Sequence, residues 1–495
     1  MIAIPSRWLY AAAACVAAVA AGALAAAGQA AAAPASLPRP AAARQPLVQP
    51  PRATSATTIT IDPTAPGLGR VASRYVGFSY SSSDINSGHF APAGNYPALL
   101  ANFGPGVMRF GGNSVDLSSY TGISASALAG LAKLAAKTGW KVIYTVNLGA
   151  FNATEVTADA SHVAAGLGAS LAGISCGNEP DRYRSRLRSS TYTEQDYLTT
   201  DLPKCLAAVH AGAPGAPIAG PDTYHTSWLP PYATAAHAGQ VPDLAFLAEH
   251  LYPMTNCGSA TPGGAATLLS AATMSAEDSV LAATSSAAAT AGVPWLIAET
   301  NSASCSGIPG VSNTYASALW AADWLMRGAE HGARGMYVNG SLNHHCGGYT
   351  PLCEVSSNQY LAEPVYYGML FAHLMGTGVT LPAQLTTTAS GSITAHAVRT
   401  TTGRIKVMAE NLTASPTSVV LQVAGVSGAA STLRLRDTNG NSLSATSGVR
   451  IQGASVTSAG TFTPGAPGHL ACKAGKCTLT LPAHSGLILA LPGTF

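Results

Sequence analysis

Between Tyr75 and Asn339 the chain alternates short apolar runs with segments of helical spacing, and this alternation constrains the fold more than any other feature. The runs are Tyr75 to Tyr80, Val107 to Phe110, Lys141 to Asn147, Leu171 to Gly177, Pro217 to Tyr224, Leu244 to Tyr252, Pro294 to Glu299 and Gly335 to Asn339. Between the second and third, Leu128, Leu131, Leu134 and Ala135 recur at helical spacing, and Gly139 offers the stop. After the seventh, Trp320 and Trp324 lie one helical turn apart before Gly332. A helix between two strands carries the chain back to start the next strand in the same direction, so such a pattern predicts parallel strands with crossover connections. Eight such units close a (β/α)8 barrel, expected here over residues 66–376.

From about Thr380 the period changes from helical to strict alternation, in Ile393 to Val398, Arg404 to Ala409, Ser418 to Val423 and Thr432 to Leu435. Asn439-Gly440 reads as a hairpin-type turn, and residues 377–495 are expected to form an antiparallel β-sandwich. Thr57 to Ile61 also alternates, ahead of any barrel residue. At the N-terminus Arg7 precedes an apolar run from Trp8 to Ala27, and the Ala-rich segment after it offers small-residue cleavage sites. Residues 1–33 therefore read as a secretory signal peptide, with an uncleaved anchor as the alternative, and the Pro/Ala-rich residues 34–56 as a spacer. No later segment is long and apolar enough to span a bilayer. With Cys15 in the leader, eight cysteines remain, an even number that suits disulfides in an oxidising compartment. Cys472 and Cys477, and Cys346 and Cys353, are close enough to pair locally, and Cys257 and Cys305 could join two rim loops. For Cys176 a bridge to Cys205 and a buried free thiol remain open.

The chemistry concentrates where barrels keep it, at the C-terminal ends of strands. The fourth run ends Cys176-Gly177-Asn178-Glu179-Pro180-Asp181, and the seventh ends Ala298-Glu299-Thr300-Asn301. Strands four and seven of a closed barrel face one another, so two glutamates far apart in sequence can meet across its mouth. Cleaving a glycosidic bond needs a proton for the leaving oxygen and electrons for the anomeric carbon, hence two carboxyl groups on opposite sides of the bond. Met108-Arg109-Phe110-Gly111-Gly112-Asn113 ends the second strand, where an arginine can orient or support a nucleophile. His250-Leu251-Tyr252-Pro253 ends the sixth, and Tyr224 and His225 end the fifth, in position to contact sugar.

Asn178-Glu179-Pro180, Arg109 to Asn113 and Glu299-Thr300-Asn301-Ser302 occur in the order found in retaining glycoside hydrolases of the heparanase and β-glucuronidase family, glycoside hydrolase family 79. Ser312 to Ala316 and Pro364 to Gly368, leading to Phe371 and Leu374, extend the resemblance, which covers roughly Tyr75 to Gly376. The resemblance implies Glu179 as general acid/base, Glu299 as nucleophile, Asn178 as donor to a sugar hydroxyl beside the reacting carbon, and Tyr252 as hydrogen-bond partner of the nucleophile. It also implies that the first strand, within residues 57–65, joins the C-terminal sheet domain. Family glucuronidases commonly hold the sugar carboxylate with tyrosines and backbone amides on the loops after strands seven and eight. Here Ser302 to Gly307 contains no tyrosine. Tyr349 could supply one hydroxyl, with a disulfide-braced turn as the alternative. Ser81-Ser82-Ser83-Asp84 also lacks an acidic residue directly beyond Tyr80, where some relatives carry one.

Only 9% of the 495 residues are charged and the formal net charge is +3. That balance gives no electrostatic basis for nucleic-acid binding and leaves out the basic clusters of a heparin binder, so a neutral or sparsely charged carbohydrate or glycoside fits better. His344-His345-Cys346 invites a zinc reading, which adjacent histidines and a cysteine with a disulfide candidate oppose, and no metal or other cofactor is expected. Asn152-Ala153-Thr154, Asn339-Gly340-Ser341 and Asn411-Leu412-Thr413 match glycosylation acceptors. The resulting expectation is a secreted retaining β-glycosidase acting on β-D-glucuronides, with no membrane association after signal cleavage. Alternatives are a retaining enzyme of the same barrel clan acting on neutral glucosides, disaccharide glycosides or xylosides, and a carbohydrate-binding protein with an inactive barrel.

Overall fold

Eight parallel strands close a barrel in sequence order: β1 (Val76–Ser81), β2 (Val107–Gly111), β3 (Lys141–Val146), β4 (Leu171–Cys176), β5 (Ile218–Thr223), β6 (Leu244–Leu251), β7 (Trp295–Thr300) and β8 (Gly335–Gly340), with β8 pairing back onto β1 through Met336 and Val76. The structure is a computed structural model that describes residues 57–258, 262–343, 346–386 and 391–492. The signal peptide and spacer expected over residues 1–56, and His344 and His345, lie outside the described residues.

Strand parity decides which residues reach the barrel interior. On β2, Met108 and Phe110 pack outward among the helices, while Val107 packs inside with Ile143, Ala219, Ala248, Leu296, Ala298 and Tyr337. Arg109 follows Val107 in parity and is fully buried at the inner end. On β6, Leu247 and Leu251 belong to the outer core and Ala248 to the inner, so His250 points inward as well. On β7 the same alternation puts Trp295 and Ile297 outside and Leu296 and Ala298 inside. An irregularity between Ile297 and Glu299 then resets the register, so that Glu299 stands level with His250 and Thr300 with Leu251. A bulge of this kind redirects a side chain next to a site. Without it, Glu299 would have faced the helices.

The expected helix after β2 spans Ala125–Thr138, buries Leu128, Leu131, Leu134 and Ala135, and is capped by the Ser124 hydroxyl and by Gly139 at φ 71°. The helix Tyr315–Glu330 is buried on every side up to Ala329, because it lies between the barrel and the second sheet. Its buried charges, Asp323 and Arg327, are tolerated there because they pair with each other.

The C-terminal region forms one 12-stranded sheet. Thr57–Ile61 belongs to it, pairing antiparallel with Ala383–Thr386 and parallel with Thr417–Val423. The sheet folds over a core of its own, in which Ile59 and Ile61 meet Ile405, Val407, Leu421, Leu481, Leu487 and Leu489. Along Ile405–Asn411 and Ser485–Ala490 the alternate residues Met408 and Ile488 face the barrel core instead. Period-two alternation thus serves two cores at once. Asn439-Gly440 does lie in a turn, with Gly440 at φ 81°, but the strand Gly428–Asp437 next pairs with Val449–Ile451, so the connection is a longer loop and not a tight hairpin.

All eight described cysteines are paired: Cys176–Cys205, Cys257–Cys305, Cys346–Cys353 and Cys472–Cys477. The choice left open for Cys176 is resolved by the helix Leu202–Gly212, which packs on β4 with Cys205 buried against the strand end. Among the described residues no helix is long and apolar enough to cross a membrane.

Candidate active site

A cavity of about 750 Å³ opens at the C-terminal mouth of the barrel, and Glu179 and Glu299 both line it. Each is nearly buried, 8% and 7% exposed. A carboxylate oxygen of one lies within 4.8 Å of a carboxylate oxygen of the other, with a ring nitrogen of His250 inside the same radius.

Glu299 is held by donors on both oxygens. Arg109 Nη1 donates to Oε2 at 2.5 Å, the Tyr252 hydroxyl donates to Oε1 at 2.7 Å, and Asn339 Nδ2 approaches Oε1 at 3.3 Å. Three donors from three strands leave the carboxylate one orientation. Burial pushes the Tyr252 hydroxyl well above its usual range, followed by the charge of Glu299, so it stays protonated as a donor.

Glu179 is presented differently. Its backbone has φ 50°, in the left-handed region that a residue with a Cβ rarely enters, and its N–H donates to the carbonyl of Asp222 at 2.9 Å. Strain of this kind persists only where the surroundings enforce it, and it gathers at functional sites. Oε1 meets His250 Nδ1 at 3.2 Å, while Oε2 lies 3.7 Å from Arg182 Nε. Asn178 is fixed just before it: Oδ1 accepts from Arg109 Nη2 at 2.8 Å and from the Gly112 N–H at 2.9 Å. With two donors on the oxygen, the amide orientation is determined, and Nδ2 lies 3.5 Å from Asn113 Oδ1 at the cavity wall.

The expected site residues therefore separate into three groups. Glu179, Glu299, Asn113, Tyr224, Tyr252 and Tyr349 line the cavity. Arg109, Asn178 and His250 lie beneath it, 0%, 2% and 1% exposed, so Arg109 and His250 hold the carboxylates from below and do not themselves bound the cavity. His225 is not brought in. Its ring is half-exposed and paired with Asp181 at 2.5 Å, which also accepts the backbone N–H groups of Tyr224 and His225. It braces the rim behind Tyr224, because the buried Asp181 carboxylate offers it a closer partner than the cavity does. Tyr349 lies in a loop spanned by the Cys346–Cys353 disulfide, and its hydroxyl accepts from Asn339 Nδ2 at 3.0 Å.

Several residues of the site escaped sequence reasoning. Asn339, at the end of β8, matches a glycosylation acceptor in sequence, yet its amide nitrogen is occupied by Tyr252, Glu299 and Tyr349 inside the cavity. Asn411 is likewise buried, with Nδ2 donating to three carbonyls, which leaves Asn152 as the exposed one of the three. Asp84 reaches the cavity through the short turn Ser82–Asp84, where it accepts from the Ser341 hydroxyl and from Asn343 Nδ2. Asp222, at the tip of β5, is fully buried against Arg109. The strand-end rule that flagged Glu179 applies equally to Gly220-Pro221-Asp222 and would have found it.

The electrostatics follow from this packing. Burial would push Asp222 up, but the Arg109 charge and the His250 ring 3.6 Å away hold it down at about 2. Burial and the Arg109 charge oppose protonation of His250, yet the Glu299 charge, the Asp222 carboxylate 3.6 Å away and the hydrogen bond with Glu179 raise it to about 10. His250 is therefore an imidazolium near neutrality. The cluster of Cys346, Cys353 and Glu363 has both sulfurs committed to a disulfide and so offers no thiolate to a metal. Glu249, beside His250, is fully buried and pushed well above the usual carboxyl range by burial, with Thr223 Oγ1 donating to it at 2.6 Å.

A closed (β/α)8 barrel with two opposed, buried carboxylates at its C-terminal mouth and a β-sheet domain packed on its flank has the architecture of a glycoside-hydrolase barrel. No protein-family model matches the chain. A β-glucuronidase of Aspergillus niger is 25% identical over 263 residues, 48% of this chain and 48% of that protein, so the chain spans about half the length of the curated relative it matches. In fold, the chain is similar to a 4-O-α-L-rhamnosyl-β-D-glucuronidase from Fusarium oxysporum 12S, with a TM-score of 0.71 at 20% identity over 88% of this chain and 100% of that one. It is also similar to a GH51 arabinofuranosidase from Xanthomonas axonopodis pv. citri, with a TM-score of 0.64 at 16% identity over 88% and 100% of the chains. In sequence the chain is thus similar to a β-glucuronidase, and in fold to a rhamnosyl-glucuronidase and an arabinofuranosidase alike.

Proposed function

We propose that the protein is a secreted β-glycosidase that hydrolyses β-D-glucuronides with retention at the anomeric carbon. The observation that carries this reading is the approach of the two carboxylate oxygens within 4.8 Å across one cavity. Retaining enzymes keep their carboxyl groups about 5–5.5 Å apart, whereas inverting ones leave room for water at roughly 6.5–9.5 Å. Glu299, immobilised by Arg109 and Tyr252, attacks C1 while Glu179 protonates the glycosidic oxygen. Glu179 then takes a proton from the water that releases the sugar. Four disulfides support an oxidising, extracellular setting.

The glucuronide preference draws support from the Aspergillus relative and from Tyr349 beside the nucleophile. One observation favours a neutral sugar as the second reading: Asp84 lines the same cavity and would repel a glycone carboxylate placed near it. A panel of nitrophenyl β-glycosides tests both. Turnover of the glucuronide is expected, turnover of glucoside or xyloside alone would transfer the assignment to the neutral class, and turnover of none would leave a binding protein. Proton NMR of the first product should show the β-anomer, and an initial α-anomer would end the retaining reading.

A further inference from the structure

We propose that Asp222 is a positioning residue that ties the two catalytic carboxylates into one unit and fixes His250 as the donor to Glu179 Oε1, leaving Oε2 to carry the proton that goes to the glycosidic oxygen. The proposal rests on the glycosidase reading above.

Asp222 touches both arms of the site. Through Oδ2 it accepts from Arg109 Nη2 at 3.1 Å, and Arg109 Nη1 in turn holds Glu299. Through Oδ1 it faces His250 Nε2 at 3.6 Å, and His250 Nδ1 reaches Glu179 Oε1 at 3.2 Å. Through its carbonyl it accepts the Glu179 N–H at 2.9 Å, and its own backbone takes φ 56°, again in the left-handed region. An unbroken chain of contacts therefore runs Glu299, Arg109, Asp222, His250, Glu179. None of the three inner members bounds the cavity, and all are at most 1% exposed, so water does not compete for these contacts.

The charges around the imidazole come from four elements besides its own: Arg109 on β2, Glu179 after β4, Asp222 on β5 and Glu299 on β7, with the buried Glu249 adjacent on β6. Around Asp222 stand Arg109, His250 and the buried hydroxyls of Tyr197 and Tyr232. An imidazolium carries a proton on each nitrogen, so Nδ1 can only donate. Glu179 must then keep its own proton on Oε2, the oxygen on the side of Arg182, which lines the cavity. In the first step that proton passes from Oε2 to the glycosidic oxygen as the C1–O bond breaks toward oxygen and Glu299 bonds to C1. A neutral imidazole with its hydrogen on Nε2 would instead accept at Nδ1 and draw the Glu179 proton to Oε1, away from the leaving group.

Asp222→Asn tests this in the full-length protein, read with two substrates of the same sugar. An aryl glycoside with a highly acidic phenol leaves without help, and one with a weakly acidic phenol requires the proton. The expected result is a fall in kcat of about 100-fold for the poor leaving group and only a few-fold for the good one, the range of general-acid assistance. NMR of His250 labelled with nitrogen-15 should show both ring nitrogens protonated at pH 7 in the natural protein, and a titration within pH 5–8 in the variant. His250→Met removes the donor to Glu179 Oε1 and gives the same split if Asp222→Asn does not fold. In a folded double variant the two losses should not add, because both act along one chain. Equal losses for the two leaving groups, or an unchanged His250 spectrum, would overturn the proposal while leaving the glycosidase reading intact. A natural protein inactive on all glycosides would instead remove the reading beneath it.

Discussion

At the residue scale the site separates the two glutamates by what surrounds them. Glu299 has donors on both oxygens and no freedom to turn, as a nucleophile requires, while Glu179 keeps one oxygen toward a cationic ring and the other toward the cavity. Glu179→Gln should lower kcat by about 100- to 10,000-fold on substrates with poor leaving groups and remove the alkaline limb of a bell-shaped pH–rate profile. A variant profile that still falls at high pH would assign the proton to another group. Tyr252→Phe removes the 2.7 Å bond to Glu299. A hydrogen bond to a charged group contributes about 1.5–3 kcal/mol, so kcat should fall roughly 10- to 100-fold with little change in melting temperature. Kinetics and a thermal melt on the same preparation check both parts.

At the scale of elements, the acid/base sits on a strand end that is anchored from behind. Cys176, the last residue of β4, is bonded to Cys205 on the helix Leu202–Gly212, three residues before Glu179. Replacing both cysteines by serine should cost about 2–4 kcal/mol of stability. Activity should fall further than the folded fraction, because the strained turn at Glu179 loses its support. Denaturant unfolding beside active-site titration would show this, and equal losses would make the bridge purely a stability device. The bulge in β7 is the matching device on the other side, since it alone turns Glu299 from the helices to the cavity.

For the whole molecule, the barrel and the sheet domain are joined by buried charge. His396, on the sheet strand Ile393–Thr400, bonds Asp323 at 3.0 Å and Glu330 at 2.9 Å on the barrel helix Tyr315–Glu330, where Asp323 also pairs with Arg327. Burial works against the charge on His396, but Glu330 and Asp323 raise it to about 10. A group whose folded value lies above its unfolded value of about 6.5 contributes stability that is complete below that value and is lost as pH rises through the folded one. The stability of the natural protein should therefore decline between about pH 6.5 and 10, and His396→Gln should flatten that decline. Removing one partner of a buried ion pair costs about 3–5 kcal/mol, so the variant should also melt earlier at pH 6. Melting curves from pH 6 to 10 decide it, and parallel curves would place the pH dependence elsewhere.

Periodicity and strand-end polarity, both local properties, made the barrel, the second sheet and the two glutamates legible along the chain, because a residue's neighbours in sequence set its period and its position at a strand tip. They could not show which way a tip side chain turns. Parity alone would have sent Glu299 outward, His225 lost its place in the cavity to the closer carboxylate of Asp181, and Asn339 looked like a surface acceptor until β8 carried it beside Tyr252. Each of these outcomes depends on a partner brought in by another strand, and such encounters exist only once the barrel has closed.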